Sequence, residues 1–257
     1  MRLIPELVLT PAGWERDRAV AITDGRIAAV QPIGAPHRTD VALPGRALLP
    51  GTVNSHCHTF QSLLRGLGDD LDFMGWRDRV LYPFSQRLDR NGIALGAAFA
   101  FAEMLKQGAT TCVDFFYLQD AGNDNAEAVI EAARAVGIRL VLARAMYDWD
   151  GAPARYRETP ADAARRVREL IAAHRHDETV LVQPAPHSPH GASAAMIQAA
   201  LWAVAILLAL APAAIALSAH ARGSIIVYGA SLVVTLGLSA IALGELLGPN
   251  AAPASIV

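Results

Sequence analysis

Short alternating runs of apolar and polar residues open the chain and predict strands at Leu3 to Thr10, Ala19 to Thr23, Arg26 to Val30 and Ala47 to Leu49. Asp24-Gly25 lies between two of these runs and predicts a tight hairpin turn, because such a turn needs positive φ at both central positions. From Gly51 the pattern changes to strands alternating with helical stretches. Strands are expected at Thr52 to His58, Thr110 to Tyr117, Arg139 to Ala145 and Val180 to Ala185, with helices at Ile93 to Gln107, Ala126 to Val136 and Ala161 to Ala173 between them. Alternation at this spacing argues for a parallel sheet or barrel built of βα units. Four strands and three helices are about half of a closed (β/α)₈ barrel, which needs eight of each.

The last part of the pattern is different. Ala199 to Ala219 carries no charge, His220 to Ser224 forms a polar break, and Ile225 to Gly244 is again uncharged. Each run is long enough to cross about 30 Å of hydrocarbon as a helix, so a transmembrane helical hairpin is expected at 199–244. The predicted organisation is an N-terminal β-module at 1–50, a partial barrel at 51–193, and two membrane helices with a short tail at 194–257. The fold class is thus α/β: an incomplete (β/α)₈ TIM-type barrel of about four βα units.

Composition narrows the picture only a little. A net charge of −2 with dispersed arginines gives no field for nucleic acid, so that partner class is set aside. Cys57 and Cys112 have no CxxC spacing and fit reduced thiols better than a disulfide framework. The N-terminal residues show no signal-peptide pattern. The expected location is a cytoplasmic catalytic part attached to a membrane through 199–244; homo-oligomerisation is left open.

Chemistry begins at His56 and His58. Two residues apart on a strand, they share one face, and two neutral imidazoles converging from a strand end are half of a divalent-metal site. The alternative is a pair of structural histidines.

The segments PGTVNSHCHTFQSLLRG, GDDLDFMGW, FAEMLKQGATTCVDFF and QPAPHSPHGAS together resemble the N-terminal half of the amidohydrolase superfamily, specifically the branch of cytosine and guanine deaminases and triazine chlorohydrolases. The resemblance implies metal-assisted attack of water on an sp² carbon, with loss of amine or halide from a small heterocyclic or amidine-type substrate. It implies one divalent metal, Zn²⁺ first and Fe second, with His56 and His58 as ligands. It implies substrate contacts for Gln61 and for His187, which follows the fourth predicted strand. Arg144, at the end of the third, is a candidate for an anionic substrate group, with a surface salt bridge as the alternative. In thioadenosine deaminases the segment matching YPFSQRL carries a glutamate that holds ribose hydroxyls. Here Ser85 stands there, which disfavours a nucleoside. The family's later histidines, acid/base glutamate and aspartate have no counterpart in this chain, so catalytic residues stay unknown and the chain is expected to be truncated and inactive alone. The final segment resembles the start of a proton-conducting membrane subunit of the hydrogenase-4 and complex I type, implying a junction near Ala195. The competing expectation is a membrane-anchored, non-catalytic fusion product with a docking role.

Overall fold

The computed structural model describes residues 1–188, 191–202 and 204–205. The chain divides into two compact units, Met1–Thr52 and the residues from Val53 onward.

The first unit is a five-stranded sheet: β1 (Arg2–Thr10), β2 (Gly13–Glu15), β3 (Arg18–Thr23), β4 (Arg26–Pro32) and β5 (Asp40–Leu48). The order is β2-β1-β3-β4, and β5 pairs with β1 in parallel. The Asp24–Gly25 turn joins β3 to β4 with φ of 51° and 72°, as the sequence predicts. The register of β1 on β5 is pinned where Arg2 faces Asp40: the guanidinium donates from Nε and Nη2 to the two carboxylate oxygens, each at 2.7 Å. Those donated bonds hold the Asp40 carboxyl at about 2. Strand β5 starts well before the expected Ala47 because Pro44 and Gly45 read as turn residues. They are absorbed in an irregularity where the partner register jumps from Pro5↔Leu43 to Leu7↔Ala47.

The second unit carries the sheet β6-β7-β8-β9: β6 (Thr52–Cys57), β7 (Ala109–Phe116), β8 (Arg139–Met146) and β9 (Val180–Pro186). Strands β7, β8 and β9 run parallel. After β6 come a 3₁₀ turn (Thr59–Leu64), a short helix α1 (Phe73–Trp76), a π turn (Arg77–Leu81) and a second short helix α2 (Tyr82–Ser85). The long helices α3 (Arg90–Lys106), α4 (Asp124–Val136) and α5 (Pro160–His174) follow the βα pattern. Their starts are written in the sequence. Asp89 accepts from Gly92 N–H at 2.7 Å to cap α3, and Thr159 accepts from Asp162 N–H at 3.1 Å to cap α5, whose first residue is Pro160. The main core joins Phe60, Ile93 and Phe101 to Phe116, Ile130, Leu140 and Leu142.

A smaller core bears on the expected junction near Ala195. Ser193 accepts from Met196 N–H at 3.1 Å and caps a helix that covers 194–202. Met196 and Ala200 on that helix pack with Met146 of β8 and with Ala163, Ala164 and Val167 of α5. One side of the helix is thus buried while Trp202 remains exposed. Among the described residues no helix is long and apolar enough to cross a membrane. Most of the expected hairpin at 199–244 lies outside the described residues.

Candidate active site

His56 lies on β6 and His58 one residue beyond it, so strand alternation sends both rings to one side. The ring centroids are 4.9 Å apart, edge to face at 84°. Nδ1 of His58 is 2.7 Å from the carbonyl oxygen of Phe115 on β7. A carbonyl only accepts, so Nδ1 carries the hydrogen, and the neutral ring keeps its lone pair on Nε2. Burial moves the pKa of His58 below its ordinary value; the Phe115 bond opposes this and the neighbouring His56 adds to it. The adjacent residue of β7 holds the next position of the turn. Asp114 accepts from Thr59 N–H at 2.9 Å and from the Thr59 hydroxyl at 2.6 Å. Asp114 is fully buried, and burial pushes its carboxyl up to about 6 against the opposing pull of the Thr59 bonds.

His58 opens on a cavity of about 600 Å³. Gln61, His187 and Ser188 line it together with aromatic side chains from the segments that follow β6, β7 and β8. Gln61 donates through Nε2 to the Tyr117 hydroxyl. Burial raises the phenol pKa of Tyr117, Tyr147 and Tyr156, so this wall stays protonated and uncharged. His187 follows β9; its backbone N–H donates to Met146 O at 3.1 Å, and its ring lies 4.4 Å from that of Tyr147. Gly191 lets the chain pass this ring, since a Cβ there would stand 2.2 Å from Nδ1 of His187. The Phe115 ring is 5.6 Å from His58 and 5.7 Å from His187.

The structure therefore brings His58, Gln61 and His187 to one cavity. His56 adjoins His58 but is exposed and is not among the cavity-lining residues. Arg144 is elsewhere. It is completely buried and donates through Nη1 and Nη2 to Glu158 at 2.8 and 3.0 Å, through Nε to Asn123 at 2.8 Å, and to Gly122 O at 3.1 Å. Its ion pair is thus an interior one, not a surface one, and its donors are committed to protein acceptors. Ser85 is also buried and off the cavity, 2.6 Å from the Tyr156 hydroxyl. Sequence reasoning missed Arg77, Tyr147 and Trp149 in the cavity wall. The last two follow β8 directly, and the end of a parallel strand is itself a signal for site residues.

As a donor set for a metal, the two histidines fit half of a coordination sphere: they are adjacent, and His58 is fixed in the tautomer that leaves Nε2 free. Among the described residues no cluster of three or more His, Cys, Asp or Glu stands close enough to complete it.

The chain is similar to known proteins in sequence and in fold. Residues 47–226 match the model of the amidohydrolase family, a span that runs through Ala195 without a break. The 5-methylthioadenosine/S-adenosylhomocysteine deaminase of Syntrophobacter fumaroxidans is 33% identical over 197 residues, covering 74% of this chain and 43% of the relative. The 5'-deoxyadenosine deaminase of Methanothermobacter thermautotrophicus is 29% identical over 196 residues, again 43% of the relative. The chain thus spans less than half the length of these two relatives. Among solved structures, an adenosine deaminase from Xanthomonas campestris with bound zinc superposes with a TM-score of 0.65 at 27% identity, covering 80% of this chain and 47% of that one.

Proposed function

The chain belongs to the amidohydrolase family, and we propose that it contributes the substrate cavity and half of the metal site of a hydrolase that releases ammonia from a small amino-heterocycle. Family membership and deaminase relatives support hydrolysis of a non-peptide C–N bond. The observation that carries the site is the His58 Nδ1–H bond to Phe115 O, which leaves Nε2 as a lone-pair donor at the cavity. His56 is the second ligand in this reading. The metal is divalent, with zinc favoured by imidazole donors and by the zinc-bound structural neighbour. When bound, such an ion supplies a water-derived nucleophile at neutral pH. Catalytic zinc takes three protein ligands, so turnover needs at least one donor beyond these two histidines.

The chain's own residues do the rest. His58 is held neutral by burial and fixed in orientation by Phe115 and by the Thr59–Asp114 contact. Gln61, tethered to Tyr117, and His187, set against Tyr147, offer hydrogen bonds to a planar substrate among aromatic walls. Those walls are mostly apolar, which strengthens each polar contact made against them relative to open water.

A free heterocycle is preferred over the nucleosides named for the relatives. Ser85 is buried against Tyr156, and among the described residues the cavity lining holds no carboxylate to accept from a ribose diol. Ammonia release from an aminopyrimidine or aminotriazine, but not from 5'-methylthioadenosine, by the chain with Zn²⁺ and a fragment of a relative that supplies further metal donors is the expected result. Release that persists in His58→Ala contradicts the site, and turnover of the nucleoside contradicts the substrate class.

The uncharged runs at 199–219 and 225–244 favour one further element of this reading, contact with a membrane beyond the described helix. Carbonate extraction tests it: full-length chain that leaves the membrane fraction entirely counts against attachment.

A further inference from the structure

The part of the cavity wall around Arg77 is built by the π turn. Tyr82 N–H donates to Arg77 O, five residues back, and this wider winding brings residues i and i+5 toward one side. Trp76 with Leu81, and Arg77 with Tyr82, accordingly all line the cavity. The guanidinium carbon of Arg77 sits 5.3 Å from the Tyr82 ring and 5.4 Å from the Trp149 ring. Trp149 is itself wedged by Gly151, where a Cβ would stand 2.2 Å from the indole. Arg77 is therefore held by two rings, and its Nε–H is committed to Asp78 at 2.7 Å. Among the described residues no acceptor takes its two Nη groups.

Among the described residues that line the cavity, Arg77 is also the one permanent cation, and none is Asp or Glu. We propose that this cavity selects planar amino-heterocycles carrying a carboxylate, with the ring among Trp76, Tyr82 and Trp149 and the carboxylate on the Nη groups of Arg77. The proposal rests on the reading of this cavity as the substrate site. Its physical basis is that a planar guanidinium matches a carboxylate with two parallel bonds, and that such charge-assisted bonds gain strength where rings exclude water. Arg144, spent on Glu158, cannot provide the same service.

Calorimetric titration of the full chain without metal tests this, using 2-aminopyrimidine and 2-aminopyrimidine-5-carboxylate as the paired probes. The carboxylate is expected to bind about tenfold or more tightly, the advantage shrinking with added salt, kept in part by Arg77→Lys and lost in Arg77→Gln. Equal affinity of the two probes in the wild-type chain, or an advantage that survives in Arg77→Gln, overturns the proposal while leaving the substrate cavity standing. Failure of both probes to bind contradicts the cavity reading and this proposal with it. The wild-type comparison and its salt dependence stand even where a variant folds poorly.

Discussion

The interior of the second unit and the cavity wall use arginine in opposite ways. Arg144 is wholly buried and its fork is met by Glu158, Asn123 and a backbone carbonyl, with Arg166 adding a second cation on Glu158. Arg77 has its side chain against two rings and one N–H on a half-exposed Asp78, leaving the rest of the fork without a protein acceptor among the described residues. A donor whose partners are built in holds the fold together; a donor whose partners are left open can receive a ligand. The same contrast separates Asp114, which accepts twice from Thr59, from His58, whose Nε2 is left over after Nδ1 is satisfied.

Breaking the satisfied side should cost stability first. Glu158→Ala strands a buried guanidinium, and a loss of about 3–5 kcal/mol in urea unfolding is expected; a loss below about 1 kcal/mol would mean that Arg144 finds water or another acceptor. Next is the pH dependence of Asp114. Its folded pKa is raised from 3.8 to about 6, so its favourable contribution is complete below about 4 and is lost as pH rises through about 6. Asp114→Asn cannot ionise. Its stability relative to wild type should therefore improve by up to about 3 kcal/mol between pH 4 and pH 7, and a flat difference across that range would show that Asp114 titrates normally.

The open side should respond in ligand binding instead. His58→Ala is expected to weaken Zn²⁺ binding by about a hundredfold or more, with a stability loss of about 1–3 kcal/mol from the stranded Phe115 carbonyl, as read by equilibrium dialysis and urea titration. Thr59→Val removes the hydroxyl bond to Asp114 and loosens the turn that carries His58, so about a tenfold loss of Zn²⁺ affinity is expected. Unaltered affinity in Thr59→Val would detach the Asp114 contact from the metal site.

Much of this was legible in the sequence. The four βα strands and the Asp24–Gly25 turn follow from local rules that tertiary packing did not overrule, while α3 starts at Arg90 and α5 at Pro160, ahead of the expected Ile93 and Ala161, where Asp89 and Thr159 cap them. His58, Gln61 and His187, which the resemblance singled out, line one cavity. What was not legible depends on geometry without a sequence code. A π turn has no signature in residue type, so Arg77 stayed unnoticed. Arg144 looked available because nothing in the sequence ties it to Glu158, fourteen residues on across a loop and a 3₁₀ turn. The segment after Ala195 looked like the start of a separate apolar segment, since periodicity alone does not tell a helix half-buried on α5 from one in lipid. Strand β5 was cut short because Pro44 and Gly45 usually end strands, whereas here they sit in an irregularity.

The proposed metal site depends on one ring above all. Nitrogen-15 NMR of the full chain at pH 7.5, with and without Zn²⁺, reads the His58 tautomer directly, with His58→Ala to assign the signals. A protonated Nδ1 and an unprotonated Nε2 that moves on adding Zn²⁺ are the predicted result. A hydrogen on Nε2, or an Nε2 signal indifferent to the metal, would contradict the site as described.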